Sequence, residues 1–557
     1  MRFIPWTSTP ALAAAALVAA APVLVTAAPQ QDAVAPAPES AAAEVDPRIE
    51  RLKEEALAGV DDRGVLIQRM VDSLYSFSEL GFQEFETQRY ITELLRAEGF
   101  DIELGVAGIP SGWIARWGSG SPVIALGSDV DGIPQSSQMP GVAYRQPLID
   151  GAPGHGEGHN SGQAVNIAGA FAVKDIMERE GIPGTLMIWP GIAEEQLGGK
   201  AHYVRAGVFD DVDIVLYSHI SSDMTTTWGD SRGNGMVSVE YLFEGEAAHG
   251  AVDPWSGRSA LDAVELMNIG WNFRREHLRI QQRSHYVITD GGDQPNVVPP
   301  TASVWYFFRE TDYDNILRMW RIGDAMAEGA ALMTGTTVTS RVLGAAWPQH
   351  MNRVVAETMF ANIQRVGMPA WSEEDQQLAR AVQKLLGVDE RGLVTTVAER
   401  LSGAERVPDS QRRGGGSDDI GDISWVVPTA TLRFPSNIGG GAWHNWNKGI
   451  AMATPIAHKG AAAGAKVQAL TLLDFLLQPD RVDAAHDYYQ NVQTRGRQYE
   501  TFLRPDDEPA IWLNRDIMER FRPRLEELYY DPSRYDTYLE QLGVEYPQFE
   551  PAEEPAP

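Results

Sequence analysis

Apolar residues recur at helical spacing early in the chain. Val65, Leu66, Met70, Val71, Leu74, Tyr75 and Phe77 predict one helix, and residues 86–98, closed by Gly99, predict a second. Short apolar runs at 113–117, 123–126, 186–189 and 214–217 then read as strands, with a helix over 164–180 between the second and third. Strands alternating with helices predict an α/β fold, with a mixed, mostly parallel sheet flanked by helices.

The pattern changes in the middle of the chain. Residues 238–243 and 303–308 read as strands, 259–273 and 316–332 as helices. That β-α-β-α order predicts a ferredoxin-like α+β domain at 236–343, inserted between a first part at 46–235 and a second at 344–477. The second part carries a helix over 373–386, a polar Gly/Arg-rich loop over 399–415 expected to be mobile, a strand over 429–434 and an apolar helix over 461–477. Residues 478–550, helical in stretches such as 511–528, predict an extension packed on the first domain without chemistry of its own.

The ends carry a different signal. Met1-Arg2 precedes an alanine-rich apolar run, and Thr26, Ala27 and Ala28 suit a signal peptidase, so 1–28 is expected to be a signal peptide. Residues 29–45 and 551–557 have the composition of a disordered linker and tail. The expectation is an exported protein, periplasmic or secreted, with no membrane insertion once the signal is removed. A net charge of -30 argues against nucleic acid or an anionic membrane as partner. With no cysteine, thiolate catalysis, disulfides and cysteine zinc sites are excluded. No serine-nucleophile elbow is expected.

Candidate chemistry sits at the ends of the predicted strands. The run 123–126 leads into Ser128-Asp129-Val130-Asp131-Gly132, the run 186–189 into Ala193-Glu194-Glu195, and the run 214–217 into Ser218-His219. Open α/β sheets place their sites at the carboxyl ends of strands. Between the second strand and its helix lies Gly154-His155-Gly156-Glu157-Gly158-His159-Asn160, rich in imidazole and carboxylate, both ligands for first-row metals. Singly, each stretch has an ordinary explanation: turn aspartates, a solvated helix start, a core histidine. Three successive strand ends with potential ligands point to a metal site.

These stretches resemble the zinc aminoacylase/carboxypeptidase family of co-catalytic metallopeptidases, in its amidohydrolase branch. The resemblance extends through Glu79-Leu80-Gly81-Phe82, Gly250-Ala251-Val252-Asp253-Pro254, Asn296-Val297-Val298-Pro299, the run 416–425 and Ala457-His458-Lys459-Gly460, in family order over roughly 60–475. It implies two divalent metal ions, zinc or manganese with cobalt also compatible, held by Glu157, His159, Glu195, His219 and His444. Glu194 would be the catalytic base, with His249 assisting catalysis. Asn296 and Arg309 would bind substrate, and Asp131 and His458 would lie behind the ligands. The inserted domain would be a dimerisation or lid domain, making a homodimer. The reaction implied is hydrolysis of the amide bond of an N-acyl amino acid, an aminobenzoyl-glutamate-like conjugate or a small peptide. Glu157 departs from the branch, which has a cysteine ligand there; an aspartate bridges the metals in sister branches, so a carboxylate suits the position. Two alternatives stay open: Glu194 as ligand with Glu195 as base, and a catalytically impaired ligand-binding protein on the same fold.

Overall fold

The computed structural model describes residues 46–230, 233–408, 411–412 and 414–550. The expected signal peptide, linker and tail lie outside the described residues, as do parts of the 399–415 loop. From Pro47 on, the described residues form one compact unit.

Three helices open it, α1 (Pro47–Asp61), α2 (Gly64–Phe77) and α3 (Phe85–Ala97), followed by strands β1 (Asp101–Leu104), β2 (Trp113–Ser119) and β3 (Val123–Asp129). Helix α4 (Gly162–Glu180), strand β4 (Gly184–Gly191), helix α5 (Lys200–Arg205) and strand β5 (Ile214–Ser221) complete the first part. Later in the chain, β13 (Thr429–Pro435) returns to this sheet, giving the order β1-β2-β4-β3-β5-β13. β4, β3, β5 and β13 run parallel, and β1 and β2 join antiparallel, so the sheet is mixed as the pattern predicts. β3 and β5 are buried nearly throughout because helices cover both faces.

The inserted domain is β7 (Gly235–Glu244), α6 (Ala260–Arg274), β8 (Arg283–Asp290), β9 (Thr301–Glu310), α7 (Tyr313–Thr334) and β10 (Thr337–Ala346). Its antiparallel order β10-β7-β9-β8 with two helices is ferredoxin-like. Strands β8 and β10, which the periodicity does not reveal, complete it. Their alternation is weak because β8 is an edge strand with mostly exposed side chains. Its own core includes Tyr241, Trp271, Tyr306 and Phe308.

The chain enters this domain through β6 (Thr227–Asp230) and leaves through β11 (His350–Met351). These two connectors pair antiparallel, and β12 (Ser402–Ala404) adds in parallel to β6, forming a three-stranded hinge sheet. The stretch expected to be a loop thus contributes a strand. One Gly-x-Ser-x-Gly spacing does occur, at Gly229-Asp230-Ser231-Arg232-Gly233, contrary to the sequence expectation. It joins strand to strand rather than strand to helix, so it lacks the context of a nucleophile elbow.

Helices α8 (Arg353–Val366), α9 (Glu373–Leu385), α10 (Ile420–Ser424), α11 (Trp446–Gly449) and α12 (Pro455–Leu477) build the second part. Helix α12 starts earlier than the apolar run at 461–477 because Thr454 caps it and Pro455 opens it. It is long and apolar enough to cross a membrane by composition, but it packs against α1, α4, α8 and β13 in the core. The terminal extension reaches both domains, not the first alone. Phe502 stacks on Tyr313 of α7, and Asp507 accepts from Val342 N of β10 at 3.1 Å. Further on, α14 (Arg515–Glu526), preceded by α13 (Pro479–Tyr488) and followed by α15 (Tyr538–Gln541), ties down to the first domain through Arg522 and Glu79.

Candidate metal centre

Parallel strands deliver all their carboxyl ends to one edge of the sheet. Asp129 ends β3, a single turn after β4 holds Glu194 and Glu195, and His219 and Arg433 lie near the ends of β5 and β13. The turn after β4 needs Ala193 at φ 52°, a left-handed conformation that non-glycine residues rarely adopt. Buried Glu84 accepts from Ala193 N at 2.9 Å and fixes it. The loop before α4 delivers Glu157 and His159 with Gly158 between them. At φ 126° that residue has no room for a side chain, since a Cβ would lie 2.2 Å from the Met452 sulfur. Asn437 donates to the Glu157 carbonyl at 3.0 Å, and Asn160 donates to Met452 O at 2.7 Å. The loop is therefore anchored on both sides.

The five expected ligands converge. Glu157 divides its oxygens: Oε1 lies 3.6 Å from His219 Nε2, and Oε2 lies 3.0 Å from His444 Nε2. Glu195 Oε2 lies 3.3 Å from His444 Nε2, and its Oε1 lies 4.0 Å from His159 Nδ1. Glu157, His159 and Glu195 offer ligand atoms close enough for one ion, as do Asp129, His159 and His219. Among the described residues, His159 Nε2 and Glu195 Oε1 are buried without a hydrogen-bond partner, which a bound cation would supply. The donor set of imidazoles and carboxylates fits a borderline divalent ion.

Charge and burial act on these groups in different directions. Burial pushes the Glu195 carboxyl up to about 8, with Glu157 adding to the effect. Burial also opposes charge on Glu157, but the His444 hydrogen bond and the imidazoles around it outweigh this and hold it well below the usual carboxylate range. Burial and the Arg433 charge hold His219 down to about 3, so it is neutral, as a ligand must be. Its Nδ1 lies 2.9 Å from Ile220 O and 2.6 Å from Arg433 Nη1. Arg433 can only donate and so calls for a lone pair on Nδ1, whereas the Ile220 carbonyl calls for a proton there; the two contacts favour opposite tautomers of the ring.

Behind the ligands lies a second layer. Asp131 Oδ1 is 3.2 Å from His159 Nδ1, and its other oxygen accepts from Glu195 N at 3.0 Å, so it orients two ligand candidates. Fully buried Lys200 donates to Asp129 at 2.6 Å and also binds Asp419, while Tyr217 donates to Asp129. Glu194 faces this group; burial, then Asp129 and Asp418, push its carboxyl well above the usual range.

Not every expected residue arrives. Arg309, near the end of β9, lines the cavity of about 360 Å³ above the ligands, with Trp443, Gln349 and Arg433. His249 and Asn296 do not line it. They are exposed on neighbouring loops of the inserted domain, where Gly250 N donates to Asn296 O at 2.9 Å. His458 is a correction as well. Its Nε2 bonds Asp72 of α2 at 2.7 Å, because α12 packs that face against α2, and it orients no ligand candidate. His155 is structural, with Nε2 3.0 Å from Leu74 O. Arg433, Lys200 and Tyr217 escape a reading of the sequence; strand register sets Arg433 beside His219, and packing of α5 brings Lys200 to Asp129.

No family model matches the chain. It is 34% identical over 442 residues to one of the proteins that make up the p-aminobenzoyl-glutamate hydrolase of Escherichia coli, covering 76% of this chain and 92% of that protein. The chain belongs to the co-catalytic metallopeptidase family, in its aminobenzoyl-glutamate hydrolase branch. Mouse Xaa-Arg dipeptidase is 26% identical over 447 residues, covering 79% of this chain and 91% of that protein. The solved aminobenzoyl-glutamate utilization protein from Klebsiella pneumoniae shares the fold, with a TM-score of 0.50 at 17% identity over 78% of this chain and 99% of that one. The protein is a metal-dependent hydrolase of amide bonds, and the convergence of Glu157, His159, Glu195, His219 and His444 agrees with that chemistry.

Proposed function

We propose that the protein hydrolyses N-acyl amino acids, aminobenzoyl-glutamate-like conjugates or small peptides at a centre of two zinc or manganese ions. The split of the Glu157 oxygens between His219 and His444 carries this reading. Glu157, His159, Glu195, His219 and His444 would hold the two ions, with Glu157 standing between His219 on one side and His444 on the other. Bound there, the ions would polarise the scissile carbonyl and lower the pKa of the attacking water. Glu194 takes the proton of that water and gives it to the leaving nitrogen as the C–N bond breaks. Arg309, whose Nε is buried without a partner among the described residues, receives the substrate carboxylate.

The protein acts as a homodimer exported from the cytoplasm by the signal at 1–28. The exposed β8 edge, with Val287 and Ile288, and exposed Ile269 and Phe273 on α6 supply an apolar face for a second copy. A sedimentation mass of one chain at micromolar concentration would overturn the dimer. The centre is tested by metal analysis of Glu194→Gln and Glu195→Gln side by side. The first should keep its metal and the second lose it; the reverse result would exchange their roles.

A further inference from the structure

The metal cavity is not closed at its far side. Gln349 and Arg433 are also walls of a larger chamber of about 550 Å³. Its floor and sides come from the hinge sheet: Thr227 and Trp228 on β6, Met351 on β11, Ser402 and Gly403 on β12. Asp230, Thr311, Pro348 and Arg412 are in turn shared with a third space of about 290 Å³, lined by Tyr313, Trp347 and Trp425. Successive shared walls set the three spaces side by side in a row, a trough that leads from the ligand candidates past β6 and β11 to the start of α7.

The wall chemistry is mostly neutral where the trough crosses the hinge. It includes an indole, a thioether, a proline, two carboxamides and several hydroxyls; Asp230 is paired with Arg412 at 2.6 Å, and the charge of Arg433 lies at the boundary with the metal cavity. A drug-sized ligand fills a few hundred Å³, so the metal cavity alone suits a dipeptide-sized amide and the trough something longer. Arg309 lines the metal cavity but neither chamber, which keeps the carboxylate end of a substrate beside the metals.

We propose that the trough is the acyl-side subsite and that the substrate's acyl half is long. It would be a peptidyl or multi-ring group, uncharged where it crosses the hinge sheet, running from the scissile carbonyl past Arg433. This rests on the amidohydrolase reading above. Because β6 and β11 are the two connectors between domains, such an acyl group would touch both at once.

The test uses the full chain loaded with zinc and three substrates sharing one C-terminal amino acid, with acetyl, benzoyl and benzoylglycylglycyl acyl halves. Release of the common amino acid gives kcat/KM. The longest should exceed the acetyl substrate by about tenfold or more, from the added buried surface. Ser402 and Thr227 are register partners with exposed positions on the chamber wall, so Ser402→Trp and Thr227→Trp fill it with little demand on the fold. Each should reduce the long-to-acetyl ratio about tenfold. A preference for the acetyl substrate, or equal slowing of all three by both variants, would overturn the proposal. Failure to cleave any of them would instead overturn the amidohydrolase reading. The trough is then decided by equilibrium binding of benzoylglycylglycine, read by tryptophan fluorescence: weaker binding to Ser402→Trp supports it, equal binding refutes it.

Discussion

The two sheets of this protein treat their chemistry differently. In the six-stranded sheet, four parallel strands point the same way, and each leaves a ligand, base or positioning residue at one edge: Asp129, Glu194 and Glu195, His219, Arg433. In the four-stranded sheet neighbouring strands alternate in direction, so their ends are shared between two edges. Only β9 sends a candidate, Arg309, into the cavity, while His249 and Asn296 emerge elsewhere and stay exposed. A parallel sheet gathers residues distant in sequence, whereas an antiparallel one disperses them. The catalytic centre therefore belongs to the first sheet, and the inserted domain contributes a wall.

Breaking the gathered edge should have the largest effects. His159→Ala removes a fully surrounded ligand candidate, so metal and activity should be lost together; full metal content in the purified variant would reject the ligand set. Glu194→Gln should retain metal and fold while turnover falls by about 10²–10⁴-fold, the usual worth of a general base. A turnover equal to the parent's would remove Glu194 from the mechanism. Lys200→Met leaves Asp129 and Asp419 buried without their cation. Loss of one partner of such a group costs about 3–5 kcal/mol, to be read from the denaturant midpoint.

Smaller effects sharpen the contrast from the other side. Arg309→Ala should raise KM about 10- to 100-fold for substrates with a free carboxylate, as loss of a charge-assisted hydrogen bond does. It should change little for the corresponding amides; equal effects on both would show that Arg309 does not read the carboxylate. Asn296→Ala should change chain stability by under about 0.5 kcal/mol, since the position is exposed, and His249→Ala by about 0.5–1.5 kcal/mol, since its Nδ1 accepts from Ala251 N and Val252 N. A larger loss on thermal unfolding would mean that these loops support the inserted domain.

Much of this edge is legible in the sequence. Asp129, Glu157, His159, Glu194, Glu195 and His219 all follow apolar runs or sit among glycines, where a polar side chain has no packing role to explain it. Arg433 gives no such signal, lying inside an apolar strand two residues before its end. His458 gives a misleading one: a histidine at the start of an apolar helix reads the same whether it faces a metal or Asp72. His444 is legible as a ligand candidate, but its left-handed backbone at φ 51° is not.

The sequence by itself determined the α/β order, the inserted domain and the residue types of a metal site, because periodicity and local composition act over a few residues at a time. The tertiary structure alone decided which of those residues meet. Strand register set Arg433 against His219, helix packing turned His458 towards Asp72, and burial drew Lys200 among three aspartates. It also decided that strands β6, β11 and β12, unremarkable in sequence, line a chamber that shares Gln349 and Arg433 with the cavity of the ligand candidates. Register, facing and enclosure depend on contacts between residues hundreds of positions apart, and no local pattern in the chain encodes them.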